Sequence, residues 1–176
     1  MADWKFKPVC NHADGGFTIT RCTPSFGDAF SPSIPTDSLC TLNWNNSGTT
    51  KLYAANMDHI GDYNRGERMY MGSNADHMTY GKAVLIAGSD DIEYYCLSPK
   101  GGSHYMDGEV FELQANESKS LSDLQGKHIF VSDGDITSPA VVSKHGLVSF
   151  ETTNTAEVIA GSDGAVIVLF YKRAAS

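Results

Sequence analysis

The side chains best equipped for chemistry occur in a doubled pattern, Asn56-Met57-Asp58-His59 and Asn74-Ala75-Asp76-His77. Carboxylate and imidazole groups ligate divalent cations, and Asn, Asp and His also fix the orientation of hydroxyl groups or build tight turns. Just after the first copy, Tyr63, Asn64 and Arg65 stand in the Gly-bounded stretch GDYNRGE. Tyr offers a flat apolar face with a polar tip, and loops are where scaffolds carry binding groups. Asn56, Asp58, His59, Tyr63, Asn64, Arg65, Asn74, Asp76 and His77 therefore form the predicted ligand-binding set, suited to a glycan or a protein surface. A shared metal ion is not predicted. If KLYAANM and ERMYMGS are successive strands of a meander, they run antiparallel, and their C-terminal ends lie at opposite ends of the sheet. Each Asp-His pair then stands alone, and turn chemistry is the default use of the motif.

Other metal patterns fail in their spacing. Cys10, His12 and Asp14 alternate along an extended chain, with Cys22 as a candidate fourth ligand, but no zinc ribbon or finger spacing is present. Asp133, Asp135 and Thr137 open like a calcium loop, yet Ser138 replaces the required Gly and Lys144 the required Glu. An Asp-Gly hairpin turn is the expected structure there. No metal or other cofactor is predicted. The stretch SLSDLQGKHIFVSDGDITSP (Ser120–Pro139) resembles the segment leading into the active site of thiol peroxidases of the thioredoxin fold. The resemblance is confined to those residues, and no Cys follows Cys96 to serve as nucleophile. G-x-S-x-G, H-E-x-x-H, Walker and G-x-G-x-x-G patterns are absent from the sequence, so no catalytic residue is named and a non-enzyme is expected.

The scaffold that must hold these groups is charge-poor, with 176 residues, 41% hydrophobic and only 19% charged. A chain of that length buries one good core, in one or two compact units. A formal net charge of -8 excludes a general basic surface for nucleic acid. The longest apolar run, Ala165–Tyr171, suits a buried strand and is far too short for a membrane span. The opening MADWKFKPVCNHADGG lacks a secretory pattern, which predicts cytoplasmic synthesis, with the final location open to release or a virion. Cys10, Cys22, Cys40 and Cys96 form no C-x-x-C pair and are expected to be buried small apolar residues.

Short apolar or alternating runs broken by Gly, Asn, Asp and Ser recur throughout, and no stretch keeps helical spacing for three turns. The predicted fold is all-β, a two-sheet antiparallel sandwich, built of two similar packed halves if the echo of LIAGSDD (Leu85–Asp91) in VIAGSDG (Val158–Gly164) is a true repeat. The expected divisions are an N-terminal arm with a first strand at Phe17–Cys22 (1–35), a first half (36–105) and a second half (106–176). Trp44, Tyr53 and Tyr70 are assigned to the core. The predicted function is non-catalytic binding of a glycan or surface ligand by a homo-oligomer. The alternative is a shell, decoration or tail protein of a phage or virus, assembled through the arm and strand edges.

Overall fold

The computed structural model describes residues 6–12, 16–30, 38–54, 58–72, 79–80, 83–90, 92–99 and 104–174. Strands and connecting turns make up all of it, and no helix occurs among the described residues, so none there is long and apolar enough to cross a membrane. In chain order the strands are β1 (Phe6–His12), β2 (Phe17–Cys22), β3 (Ala29–Phe30), β4 (Ser38–Asn45), β5 (Thr50–Ala54), β6 (His59–Tyr63), β7 (Arg68–Gly72), β8 (Thr79–Tyr80), β9 (Ala83–Ala87) and β10 (Tyr94–Pro99). They continue with β11 (His104–Leu113), β12 (Ser118–Leu121), β13 (His128–Ser138), β14 (Leu147–Ser149) and β15 (Ala156–Ala174). The chain divides into two compact units, one of Met1–Asp107 with Lys172–Ser176 and one of Gly108–Tyr171, so the division falls inside β11 and β15.

Unit 1 is a sandwich of two sheets. One runs β1-β2-β10-β4-β7, antiparallel throughout, with β8 added parallel to β7 and the start of β11 parallel to the start of β4. The other runs β3-β9-β5-β6. β4 shows why this chain makes strands: from Thr41 to Asn45 its residues alternate polar and apolar, and both series are buried. Leu42 and Trp44 share one face with Leu97 and Tyr95, their register partners on β10, and the Trp44 and Tyr95 rings stack at 5.3 Å. Thr41, Asn43 and Asn45 lie on the opposite face, which is turned toward the second sheet. There Cys22, Met69 and Tyr94 pack with Leu85, Ala87 and Ile92, and Tyr63 covers them. β1 is an edge strand, blunted by exposed Lys7 and Pro8.

One end of this sandwich is closed by Asn45. Its buried Nδ2 donates to the carbonyls of Gly48 and Tyr63, both at 2.8 Å, and its Oδ1 accepts the Ser47 N–H. The strands β5 and β7 both start at this end. Their C-terminal residues Ala54 and Gly72 consequently lie at the same, opposite end of unit 1. That corrects the expected meander: β5 joins β9 in one sheet while β7 joins β4 in the other. Also within unit 1, the buried Tyr70 hydroxyl donates to Asp107 Oδ1 at 2.7 Å, and Arg173 Nη2 stands 3.9 Å from the other carboxylate oxygen while its guanidinium lies over the Tyr105 ring.

Unit 2 packs Leu124, Ile129, Val131, Ile136, Val158, Ala160 and Ile167 into one core. β13 is central, flanked by β14 and β15, and β12 pairs with the first residues of β15. Asp133 and Gly134 lie within β13, where the register shifts, so the sequence expected to be a hairpin turn is a bulged strand instead. Gly134 and Gly164 have φ of 67° and 79°, and a Cβ on Gly134 would collide with the Gly164 carbonyl oxygen, so the close approach of the two backbones requires glycine. The proposed repeat also parts company here. In LIAGSDD the residues Gly88–Asp90 form a bend after β9, whereas in VIAGSDG they are part of β15.

Candidate functional site

On the side of β2, β10 and β4 that faces the second sheet, polarity changes along the strands. Beyond the row of Cys22, Tyr94 and Asn45, the next row holds Thr20, Cys96, Asn43 and the apolar Met69, which are register partners across four strands. Thr18, Ser98 and Thr41 form the row after that, toward the Gly72 end. Asn43 and Thr41 are 0% exposed and Cys96 is 6% exposed, whereas Thr18, Thr20 and Ser98 are half-buried. The wall therefore runs from a sealed apolar floor to partly accessible hydroxyl groups.

Asn43 Nδ2 donates to the Thr41 hydroxyl at 3.1 Å and to the Thr41 carbonyl at 3.4 Å. A carbonyl can only accept, so these contacts fix which end of the amide points at Thr41. That leaves Asn43 Oδ1 buried and without a hydrogen-bond partner. Cys96 Sγ lies 3.5 Å from Ser98 Oγ. Burial pushes the Cys96 thiol up, against weaker lowering by hydrogen bonds from Ser98 and Thr41. The group is held as a neutral thiol, a poor nucleophile at neutral pH.

The residues expected to bind ligand are placed differently. Asp58 and His59 are exposed; the His59 ring is tied by Nε2 to Asp62 Oδ1 at 2.8 Å and packs on Tyr53. Tyr63 sits half-buried on the apolar cluster of unit 1, with its carbonyl taken by Asn45. Asn64 bonds Glu67 and Thr49, and Arg65 Nη1 donates to the Asn46 carbonyl at 2.6 Å, so Asn64 holds its own turn and Arg65 ties that turn to the one after β4. Asn56, Asn74, Asp76 and His77 lie outside the described residues. Tyr63, Asn64 and Arg65 lie at the C-terminal end of β6 and Asp58 and His59 at its start, so the two groups are held apart. Trp44 and Tyr70 are buried as assigned. The wall itself escaped the sequence reading, although the alternation in TLNWN, polar at every second position of an otherwise apolar strand, carries its signal.

No family model matches the chain, and no curated protein matches it in sequence. Solved structures do match in fold. A conserved protein of unknown function from Pseudomonas aeruginosa aligns at a TM-score of 0.61 and 8% identity, over 94% of this chain and 84% of that one. A point mutant of the oxalate decarboxylase of Bacillus subtilis aligns at 0.56 and 6% identity, over 93% and 70%. A bacterial pirin of Escherichia coli, solved with nickel(II), aligns at 0.54 and 13% identity, over 90% and 82%. The shared architecture is the cupin β-barrel or jelly roll, an all-β class to which the sandwich expectation corresponds.

These neighbours correct the expected function. A non-catalytic glycan-binding module, or a shell, decoration or tail protein, was anticipated; the matching folds are cupins, among them a decarboxylase and a nickel-bound pirin. The glycan partner, the lectin-like and virion assignments and the internal repeat lose their support, and so does the expectation that the chain is not an enzyme. The physical reason for the correction is that loop composition suggests a ligand surface, whereas the Asn64 amide is bonded to the Glu67 carboxylate and the Arg65 guanidinium to the Asn46 carbonyl.

Two of these neighbours hold metals, nickel(II) in the pirin and Mn(II) in the decarboxylase. The described residues of this chain do not fit such an ion: they include no group of three or more His, Cys, Asp and Glu side chains that could hold one. The wall offers hydroxyls, an amide and a protonated thiol, a donor set without the carboxylates or imidazoles that hard and borderline divalent ions require.

Proposed function

We propose that the protein is a cupin-type enzyme acting on a small molecule inside unit 1, with Thr41, Asn43, Cys96 and Ser98 as the wall that contacts it. One observation carries this reading: Asn43 Oδ1 is fully buried and unpartnered. An unfilled acceptor in such a place costs about 1–3 kcal/mol, and a ligand group that donates to it recovers that free energy. Cys96 adds a neutral thiol to this wall, a weak donor and acceptor 3.5 Å from Ser98 Oγ that meets the ligand beside Asn43. Cupin neighbours with enzymatic names support the assignment at the level of the fold.

The test is a ligand-observed NMR screen of the full chain against small alcohols, amides, carbonyl compounds and carboxylic acids. Hits should be lost in Asn43→Leu and weakened in Cys96→Ala, which removes the neighbouring contact in the same row. Hits that survive Asn43→Leu unchanged, or a screen with none, would overturn the proposal.

A further inference from the structure

The wall is neutral along its whole described length. Thr18, Thr20, Thr41, Asn43, Cys96 and Ser98 carry no formal charge, and neither do Met69, Cys22 and Tyr94 beside them on the same face or Leu85 opposite them on β9. A carboxylate or ammonium placed there would lose its water without meeting an opposite charge, and uncompensated buried charges cost several kcal/mol. Asn43 Oδ1, an acceptor with lone pairs and no hydrogen-bond partner, calls for a donor.

We infer that the ligand of this wall is an uncharged molecule that places an O–H or N–H donor against Asn43 Oδ1 and an apolar part against Met69 and Leu85. The inference rests on the function proposed above and names the ligand class for the same site. Alcohols and primary amides share the required chemistry: each offers a donor and an apolar chain, and neither brings a charge. The neighbouring thiol meets such a ligand as a neutral group, so binding itself calls for no proton uptake or release.

The probes are four compounds on one carbon skeleton: propanol, propionamide, propionate and propylamine. Each is titrated into the full chain and followed by the amide and side-chain NMR signals of Thr41, Asn43, Cys96 and Ser98. Propanol or propionamide should bind at least about tenfold more tightly than either charged probe. Which of the two neutral probes is tighter separates the alcohol from the amide form of the ligand. In Asn43→Asp, a carboxylate replaces the amide, and the order should invert in favour of propylamine. A charged probe that shifts the wall signals as strongly as the neutral ones in the unaltered protein would overturn the inference while leaving the site intact. If no probe moves these signals, the site itself is wrong and both proposals fall. Should Asn43→Asp not fold, as judged by circular dichroism, the rank order in the unaltered protein decides alone.

Discussion

Asn45 is the residue whose removal reads most directly on the closed end of unit 1. Its side chain is 0% exposed and makes three hydrogen bonds, two as donor to the Gly48 and Tyr63 carbonyls at 2.8 Å and one as acceptor from the Ser47 N–H at 3.1 Å. Asn45→Ala removes all three and leaves two carbonyls and an N–H without that partner, in a space too tight for easy hydration. At about 1 kcal/mol per net bond the expected loss is about 3 kcal/mol, roughly a hundredfold in the folding equilibrium. The assay is urea unfolding followed by fluorescence of Trp44, which stacks on Tyr95 in the same sheet and reports on this unit. The midpoint should fall with the slope unchanged. A loss below about 1 kcal/mol would refute the assignment of Asn45 as the clasp of this end. The same burial makes the Asn45 sequon unavailable to a glycosylating enzyme in the folded chain.

Gly134→Ala should destabilise unit 2 by about 2 kcal/mol or more, because the added Cβ meets the Gly164 carbonyl and the residue sits at a φ of 67°; hydrogen exchange of β13 and β15 amides is the readout, and unchanged protection would contradict it. Burial raises both the Cys96 thiol and the Tyr94 hydroxyl, so the native state keeps protons that the unfolded chain gives up. Stability should therefore be flat below the ordinary thiol value of about 8.5 and fall as pH rises through it and then through the phenol value of about 10; urea midpoints that stay level to pH 10.5, about half a unit past the latter, would count against buried neutral groups. Mn(II) added to the protein should leave the NMR signals of Thr41, Asn43, Cys96 and Ser98 sharp, and selective paramagnetic broadening there would show a metal site that the donor set does not suggest.

The strand rhythm was legible in the sequence because period-two alternation and Gly-Asn-Asp punctuation are local; Phe17–Cys22 is β2 to the residue. Pairing was not. KLYAA and ERMYMG stand close together in the chain yet enter different sheets, since β9 claims β5 and β4 claims β7, and such long-range choices leave no local trace. SDGD carries the composition of a turn but is kept within β13, as a bulge, by its pairing with β15. The candidate site was missed for a related reason. Thr, Asn and Ser signal loops when read one at a time, and only the register of β2, β10 and β4 puts Thr20, Cys96 and Asn43 in one row. Cys22 and Cys96 were expected to be buried and are, but burial alone did not reveal that the Cys96 sulfur has a hydroxyl neighbour in Ser98.

Unit 2 is inserted in the chain of unit 1, which resumes only at Lys172. During synthesis, every residue of Gly108–Tyr171 is joined to the chain before Arg173 exists to approach Asp107 and lie over Tyr105. Unit 1 is thus finished last although it begins first. Until Arg173 is in place, the Asp107 carboxylate lacks its cationic neighbour, so a chain cut at Tyr171 would carry every residue of the inner segment and an outer one without the end of β15.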